Sequence, residues 1–176
     1  MAEISELRPT EILLSEAQIQ KRVAELARGI RHDFPDDLHL IAVLKGAFVF
    51  LSDLIRHIPG HVSLDFMAVS SYAKGTTTSG EVRLLKDLDT ALSGRNVVIV
   101  EDIVDTGLTL TYLQDILLNR NPKAFRTACL LSKPSRRLVD VKVEYIGFTI
   151  EDRFVVGYGL DYAEQYRNLP HIAVLG

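Results

Sequence analysis

The chain has 176 residues, of which 47% are hydrophobic and 24% charged, and its 20 basic and 23 acidic side chains give a formal net charge of −3. This length predicts a single domain spanning residues 1–176, and the near-average composition argues against disorder, collagen-like repeats and a disulfide-built scaffold. The near-neutral charge also argues against a nucleic-acid binder that depends on bulk positive charge.

The first predicted elements are an amphipathic helix and a buried strand. Ser15 and Gln18 have the spacing of a capping box, and apolar residues then recur at helical intervals, which predicts a helix over residues 16–32. Residues 38–44 form a short, almost continuous apolar run. Such a run is typical of a parallel strand that is buried on both faces.

A strand, a tight turn and a helix are predicted in that order twice. Residues 45–46 interrupt the first apolar run, and apolar side chains then resume in helical register over residues 47–55. Residues 97–100 form a second apolar strand, residues 101–107 a turn, and residues 108–119 a helix. The repetition indicates strands that are joined by helical crossovers.

Further strands are predicted from short apolar runs at residues 62–69, 125–131, 143–148, 154–158 and 172–175. Strands that alternate with helices of about ten to fifteen residues indicate an α/β fold. We therefore expect a mostly parallel twisted sheet flanked by helices.

The cysteine content and the first residues favour a cytoplasmic protein. Cys129 is the single cysteine, so no intramolecular disulfide and no thiolate metal cage can form. Its apolar surroundings predict a small buried hydrophobe rather than a nucleophile. Residues 1–6 lack the basic start and apolar core of a secretory signal, and no run approaches the roughly 18 apolar residues that span a bilayer. We expect no membrane partner.

Two adjacent carboxylates and a turn rich in glycine and threonine follow the second predicted strand. In open α/β sheets the ligand crevice lies beyond the carboxyl ends of the strands. Gly107 can adopt positive φ, and the hydroxyls of Thr106 and Thr109 lie near a helix N-terminus, which suits a phosphate. Glu101 and Asp102 would repel a phosphate but can bind sugar hydroxyls, directly or through a divalent cation. Together they suggest a phosphorylated ribose, although acids and threonines before a helix are often only caps.

Residues 97–110, VVIVEDIVDTGLTL, closely resemble the phosphoribosyl-diphosphate signature of the type I phosphoribosyltransferases. From about residue 38 to the C-terminus the chain is similar to the hypoxanthine-guanine branch of that family. Further anchors of the resemblance, in matching order, are Leu44, Lys45, Gly46, Ser71, Tyr72, Lys133, Phe154, Val155, Val156, Gly157, Tyr158, Asp161 and Arg167. The resemblance implies the type I phosphoribosyltransferase fold, with a small hood formed by the chain ends. It also implies Mg²⁺-dependent transfer of the phosphoribosyl group from 5-phosphoribosyl 1-diphosphate to hypoxanthine or guanine, with loss of pyrophosphate.

The resemblance assigns the signature to binding of the phosphoribosyl group. Asp105 matches the catalytic residue placed against the imidazole nitrogen of the base that is not attacked, where it can accept or share a proton. Glu101 and Asp102 match residues that hold the ribose hydroxyls and a magnesium shell. The implied phosphoribosyl-binding set is Glu101, Asp102, Asp105, Thr106, Gly107, Leu108 and Thr109. Leu108 departs from members that carry lysine there, at a position that contacts ligand mainly through its backbone.

The implied purine site contains Lys133, Phe154, Val155 and Asp161. An ammonium has only donors, so Lys133 suits the exocyclic oxygen of an oxopurine and disfavours adenine. Phe154 matches a ring that stacks on the base, and Val155 matches a backbone contact to it. Asp161 also matches a magnesium ligand, as Glu101 and Asp102 do. Without the resemblance, Lys133 would be interpreted as a surface lysine and Phe154 as a core aromatic.

The implied pyrophosphate site consists of residues 44–46 and Arg167, whose alternative role is a helix-face ion pair. In the family the peptide bond before the lysine is often cis, and we expect this here. Ser71 and Tyr72 match a lid that closes over the reacting carbon and excludes water. The polar stretch that they begin, residues 71–80, is otherwise typical of a mobile surface loop.

Two other functions share parts of this pattern. A phospho-accepting receiver domain has a similar acid pair, but the 74 residues after Asp102 are too few for the rest of that module. A pyrimidine-operon RNA-binding regulator keeps the same signature, yet the basic residues here are scattered and the purine anchors Lys133 and Phe154 are present. We therefore expect small-molecule substrates, no nucleic-acid partner, and a homodimer or homotetramer. The ranking of hypoxanthine, guanine and xanthine stays open.

Overall fold

The computed structural model describes residues 7–72 and 81–176. A short 3₁₀ helix, Pro134–Arg136, lies between the sixth and seventh strands. The other elements of the described residues are, in chain order, β1 (Pro9–Leu14), α1 (Glu16–Asp33), β2 (His39–Leu44), α2 (Phe48–Arg56), β3 (Ser63–Tyr72), β4 (Glu81–Lys86), β5 (Asn96–Val104), α3 (Leu108–Leu118), β6 (Ala124–Ser132), β7 (Tyr145–Thr149), β8 (Val155–Val156) and β9 (Ile172–Leu175).

The strands form one large and one small sheet. The large sheet has six strands in the order β4-β3-β2-β5-β6-β7. All neighbouring strands in it run parallel except β3 and β4, which confirms the predicted mostly parallel sheet. β1, β9 and β8 form a separate antiparallel sheet of three strands. Because its strands come from the beginning and the end of the chain, this small sheet is the predicted hood.

Helices cover both faces of the large sheet, because successive side chains of each strand point to opposite faces. Leu40 and Ala42 of β2 pack in the core cluster that contains the buried residues of α1 and α2. Ile41 and Val43 pack in a second cluster with the buried leucines of α3. The continuous apolar run that predicted β2 therefore reflects burial on both sides of the sheet.

α1 begins and ends close to the predicted positions. The hydroxyl of Ser15 accepts the backbone N–H of Gln18 at 3.2 Å, and the side chain of Gln18 accepts the N–H of Ser15 at 2.9 Å. The predicted apolar residues, Ile19, Val23, Leu26, Ala27 and Ile30, are all buried. No helix within the described ranges is long and apolar enough to cross a bilayer.

β5 is longer than predicted and contains the two adjacent acids. The apolar run ends before Glu101, but β5 continues to Val104. β6 keeps pairing with it, with Glu101 opposite Cys129 and Val104 opposite Ser132. The prediction that Glu101 and Asp102 lie in the turn after the strand was therefore wrong. Backbone pairing with a long neighbouring strand extends β5 beyond its apolar run.

Three other strands differ from the sequence prediction: one is shorter than predicted, and two were not predicted. β8 is shorter than the predicted strand over residues 154–158, because Gly157 and Tyr158 have φ of +98° and +50°, outside the extended region. β1 and β4 were not predicted, since their sequences are partly polar. β1 is fixed by pairing with β9 at the other end of the chain, a contact that no local pattern contains.

Candidate active site

Three neighbouring strands end at one edge of the large sheet, and a predicted site residue follows each of them. β2, β5 and β6 are adjacent and parallel. The residues directly after these strands are Lys45, Asp105 and Lys133. Ligands of open α/β sheets bind beyond the carboxyl ends of the strands. The fold therefore brings together loops that are far apart in the sequence.

The turn between β5 and α3 has the geometry of an anion site. It lines a cavity of about 190 Å³ formed by residues 101–107 and 109–110. Gly107 precedes α3 with φ of +84°, and a Cβ there would lie 3.0 Å from Cγ1 of Val141. The N–H of Thr111 bonds to the carbonyl of Gly107 at 2.9 Å, so the amides before Thr111 have no acceptor within their own helix. Such amides and the helix dipole favour a phosphate.

Asp105 lies where two cavities meet. It lines the cavity of the β5–α3 turn and also a second cavity of about 360 Å³, and Ile103 is the other residue common to both. Oδ1 of Asp105 accepts the N–H of Thr106 at 2.6 Å, and the hydroxyl of Thr106 accepts the N–H of Leu108 at 3.4 Å. The loop itself therefore holds this carboxylate between the anion site and the second cavity.

The second cavity contains all four residues of the predicted purine site. Lys133 is buried, and its Nζ lies 3.6 Å from Oδ1 of Asp152. The ring of Phe154 is 55% exposed and meets the ring of Tyr162 edge to face, with centroids 5.8 Å apart. The ammonium of Lys133 and the exposed ring of Phe154 therefore line the same cavity. Its lining residues are Ile103, Asp105, Lys133, Arg136, Asp152, Phe154, Val155, Leu160 and Asp161.

Glu101 and Asp102 are adjacent carboxyl groups near the end of β5, the first buried and the second partly buried. Burial raises the pKa of Glu101 well above its usual value, and the charge of Asp102 raises it further. Burial also raises the pKa of Asp102 to about 6, although the N–H of Ile103 and the charge of Arg167 act in the opposite direction. Both acids therefore lie where a bound cation would be favourable.

Cys129 lies opposite Glu101 on β6 and is a free, buried thiol. Burial raises its pKa to about 12, and the charge of Glu101 adds to the shift. A thiol with this pKa stays protonated at neutral pH and is a poor nucleophile. The prediction that Cys129 is a small buried hydrophobe is confirmed.

At Gly46 the loop after β2 packs against Asp102 of β5 and against Gly159, which follows β8, with no space for a side chain. A Cβ on Gly46 would lie 1.7 Å from Oδ2 of Asp102, and a Cβ on Gly159 would lie 2.4 Å from the carbonyl oxygen of Gly46. The peptide bond between Leu44 and Lys45 is cis, as expected. Gly46 therefore lies directly beside Asp102 of β5.

Arg167 is held by residues of its own segment, between β8 and β9, and Lys45 joins that segment to the loop after β2. Its guanidinium donates to the carbonyl of Gly159 at 2.8 Å and lies 3.3 Å from both Asp161 and Glu164. Oδ2 of Asp161 also accepts the N–H of Glu164 at 2.9 Å. Lys45 lies 3.4 Å from the same Glu164. The predicted pyrophosphate residues Lys45 and Arg167 thus share one acidic partner.

The predicted lid lies at the limit of the described residues. The backbone of Ser71 and Tyr72 forms the end of β3, paired with Val82 and Glu81 of β4. Residues 73–80, together with the side chains of Ser71 and Tyr72, lie outside the described part of the chain. Their assignment as a lid stays a prediction.

Sequence reasoning missed Asp152 and Arg136, which line the second cavity. Asp152 lies 3.6 Å from Lys133 and 3.5 Å from Arg136. Both residues lie in short polar stretches of the sequence, and neither forms part of a recognised motif. Their one signal is closeness in sequence to Lys133 and Phe154. Within residues 7–72 and 81–176, no three His, Cys, Asp or Glu side chains are grouped so that they could hold a metal ion.

Comparison with known proteins agrees with this geometry. A model of the phosphoribosyl transferase domain matches residues 9–163. The chain is 51% identical to the hypoxanthine-guanine phosphoribosyltransferase of Bacillus subtilis, over 94% of this chain and 92% of that protein. It is 48% identical to the hypoxanthine phosphoribosyltransferase of Escherichia coli K12, over 92% and 93%. A crystal structure of a Bacillus anthracis hypoxanthine-guanine phosphoribosyltransferase, with HEPES in its active site, superposes with a TM-score of 0.92 at 52% identity, covering 96% of this chain and 100% of that one.

Proposed function

The chain belongs to the phosphoribosyltransferase family, and we propose that it is a purine-salvage enzyme of that family. It transfers the 5-phosphoribosyl group of 5-phosphoribosyl 1-diphosphate to hypoxanthine or guanine and forms IMP or GMP with pyrophosphate, the activity of EC 2.4.2.8. The observation that carries this proposal is the pair of adjoining cavities that share Asp105. One has the amides of an anion site, and the other has a lysine and an aromatic ring suited to an oxopurine.

The phosphoribosyl group occupies the first cavity in this proposal. The 5-phosphate accepts hydrogen bonds from the amides and hydroxyls of the turn that contains Thr106, Gly107, Leu108 and Thr109, where the dipole of α3 favours an anion. Glu101 and Asp102 accept hydrogen bonds from the ribose hydroxyls. This arrangement holds the sugar at both ends and leaves its anomeric carbon free.

The acids of β5 also fit a magnesium ion. Glu101 is buried and Asp102 beside it is partly buried, and both line the cavity of the β5–α3 turn with oxygen ligands. Magnesium is commonly held by one or two carboxylates together with substrate phosphates and water. Asp161, which pairs with Arg167, is proposed to contact magnesium separately, on the pyrophosphate side. When bound, magnesium would neutralise charge on the departing pyrophosphate.

The purine occupies the second cavity. The ammonium of Lys133 donates to the exocyclic oxygen, the ring of Phe154 stacks on the base, and Val155 contacts the base through its backbone. Asp161 also lines this cavity. The buried ammonium selects an oxo group over the amino group of adenine, because an amino group at that position would leave two donors facing each other.

Transfer breaks the bond between the anomeric carbon and the diphosphate oxygen, and the electron pair leaves with pyrophosphate. A purine ring nitrogen forms the new bond to the same carbon. As the base becomes positively charged, Asp105 accepts or shares the proton of the other imidazole-ring nitrogen. Leu44, Lys45, Gly46 and Arg167 hold the pyrophosphate. Most of the rate enhancement would come from alignment and electrostatic stabilisation.

The assembly and the compartment are also proposals. We propose one phosphoribosyltransferase domain over residues 1–176, assembled as a homodimer or homotetramer as the family resemblance implies. Light scattering on the purified chain measures this assembly. A cytoplasmic location follows from the substrate, because a sugar bearing several phosphates does not cross a membrane unaided.

A panel of bases tests the proposed function. With saturating magnesium and 5-phosphoribosyl 1-diphosphate, hypoxanthine and guanine should be converted to nucleotides with release of pyrophosphate, and adenine should not. Xanthine is included because its ranking is not fixed by these contacts. Retention of RNA without purine turnover would instead support the RNA-binding regulator, which the purine-site residues disfavour.

A further inference from the structure

Arg137 contacts both the β5–α3 turn and the segment that follows β6, although it is not among the residues that line either cavity. It directly follows the 3₁₀ helix after β6. Its guanidinium donates to the backbone carbonyls of Val104 at 2.8 Å and Asp105 at 2.6 Å. It also donates to the carbonyl of Lys133 at 3.4 Å and to the hydroxyl of Ser132 at 2.8 Å. One side chain therefore joins the ends of β5 and β6.

Two backbone hydrogen bonds join the same segments. The N–H of Lys133 bonds to the carbonyl of Val104 at 2.9 Å, and the N–H of Leu138 bonds to the carbonyl of Thr106 at 3.0 Å. The segment after β6 is thus bound along the β5–α3 turn. Arg137 lies between these two bonds in sequence and supplies the charged contacts.

The acceptors explain why an arginine is suited to this position. Three carbonyl oxygens and one hydroxyl converge there, close to the buried acids of β5 and beside a site that must hold a phosphate. The oxygen ends of these carbonyls add negative potential to that site, which a nearby positive charge offsets. A guanidinium presents five N–H groups in a rigid plane and carries one positive charge, so it can serve several acceptors at once. A lysine carries the same charge but not the same planar set of donors.

We propose that Arg137 is a positioning residue for phosphoribosyl transfer: it fixes Asp105, beside the sugar, relative to Lys133, beside the base. The proposal rests on the function proposed above. Asp105 and Lys133 belong to different loops, and transfer requires the base nitrogen to lie in line with the anomeric carbon. A misplacement of about 1 Å can reduce a rate about 100-fold. Arg137 therefore contributes to turnover without contacting a substrate.

The test compares R137Q and R137K with wild type and with the control R95Q. Arg95 donates to Asp37 at 2.9 Å and to Ser63 at 2.8 Å, next to the N-terminal ends of β2 and β5, away from the site edge. R95Q should lower the unfolding midpoint but keep kcat and both KM values within about twofold of wild type. R137Q should lose about 10- to 100-fold in kcat/KM, mostly in kcat. R137K should recover only part of this loss.

Several results would overturn the proposal. The first is kcat and KM values of R137Q that lie within about twofold of wild type. The second is full recovery of activity in R137K, which would mean that the positive charge alone is sufficient. The third is a loss of kcat/KM in R95Q equal to that in R137Q. An inactive wild-type enzyme would instead refute the proposed function. If R137Q does not fold, R137K carries the same comparison.

A double-mutant cycle with K133A separates positioning from general weakening. If Arg137 acts partly through Lys133, its replacement should lower kcat/KM for hypoxanthine by a smaller factor when Lys133 is already alanine. R137K is used in the cycle if R137Q is unstable. Effects that multiply to within about twofold would contradict this coupling.

Discussion

Replacing Gly46 by alanine is expected to impair the use of 5-phosphoribosyl 1-diphosphate more than it destabilises the fold. The new Cβ would lie 1.7 Å from Oδ2 and 2.7 Å from Cγ of Asp102. Asp102 must then rotate away and lose its 2.7 Å hydrogen bond from the N–H of Ile103. Because the end of one side chain can move, we expect a loss of about 1–3 kcal/mol in the free energy of unfolding.

The displaced carboxylate is the proposed ligand of the ribose hydroxyls and of magnesium. We therefore expect kcat/KM for 5-phosphoribosyl 1-diphosphate to fall about 100-fold, equivalent to about 2.7 kcal/mol, with little change in the KM for hypoxanthine. Steady-state kinetics and urea unfolding of the same preparation measure both effects. The matched control is Gly29→Ala in α1, where a Cβ has no atom within 4 Å; it should keep wild-type kinetics. Unchanged sugar-diphosphate kinetics in G46A would show that the position of Asp102 does not matter for binding the sugar diphosphate.

Three other substitutions test individual roles. Asp105→Ala should lower kcat about 10²- to 10⁴-fold with a smaller effect on the KM for 5-phosphoribosyl 1-diphosphate, and unchanged turnover in a steady-state assay would count against its role. Lys133→Ala should raise the KM for hypoxanthine about 10- to 100-fold, whereas an effect confined to the sugar diphosphate would mean that Lys133 is misassigned. The pKa of Asp102 is about 6 in the fold and 3.8 in its absence, so this group lowers stability as the pH rises from about 4 to about 6. Asp102→Asn should therefore be less active but more stable than wild type at neutral pH, by on the order of 1–3 kcal/mol; urea midpoints showing the same difference at about pH 4 and at neutral pH would contradict this.

The parts of the fold that sequence could predict have local causes. The capping box at Ser15 begins α1, and the continuous apolar run of β2 reflects burial on both faces. Gly107 marks the start of α3, because positive φ there favours glycine. The anion site was predictable for the same reason, since its residues are consecutive and its physics is that of one helix terminus.

The remaining features depend on contacts between distant parts of the chain. β5 extends through Glu101 and Asp102 because β6 pairs with it, so the burial of these acids is not visible in their own sequence. The closeness of Gly46 to Asp102 requires β2 and β5 to be neighbours. Arg137 belongs to no motif, and its role follows only from the carbonyls that the ends of two strands bring together.

In the proposed function, a sugar phosphate and an oxopurine occupy the two cavities that meet at Asp105. A crystal structure of the chain with IMP, magnesium and pyrophosphate would show whether they do. We predict the 5-phosphate of IMP on the amides between Thr106 and Thr109, and its base between Lys133 and Phe154 with the imidazole edge at Asp105. A phosphate bound away from the β5–α3 turn, or a base outside the second cavity, would contradict this placement of the two substrates.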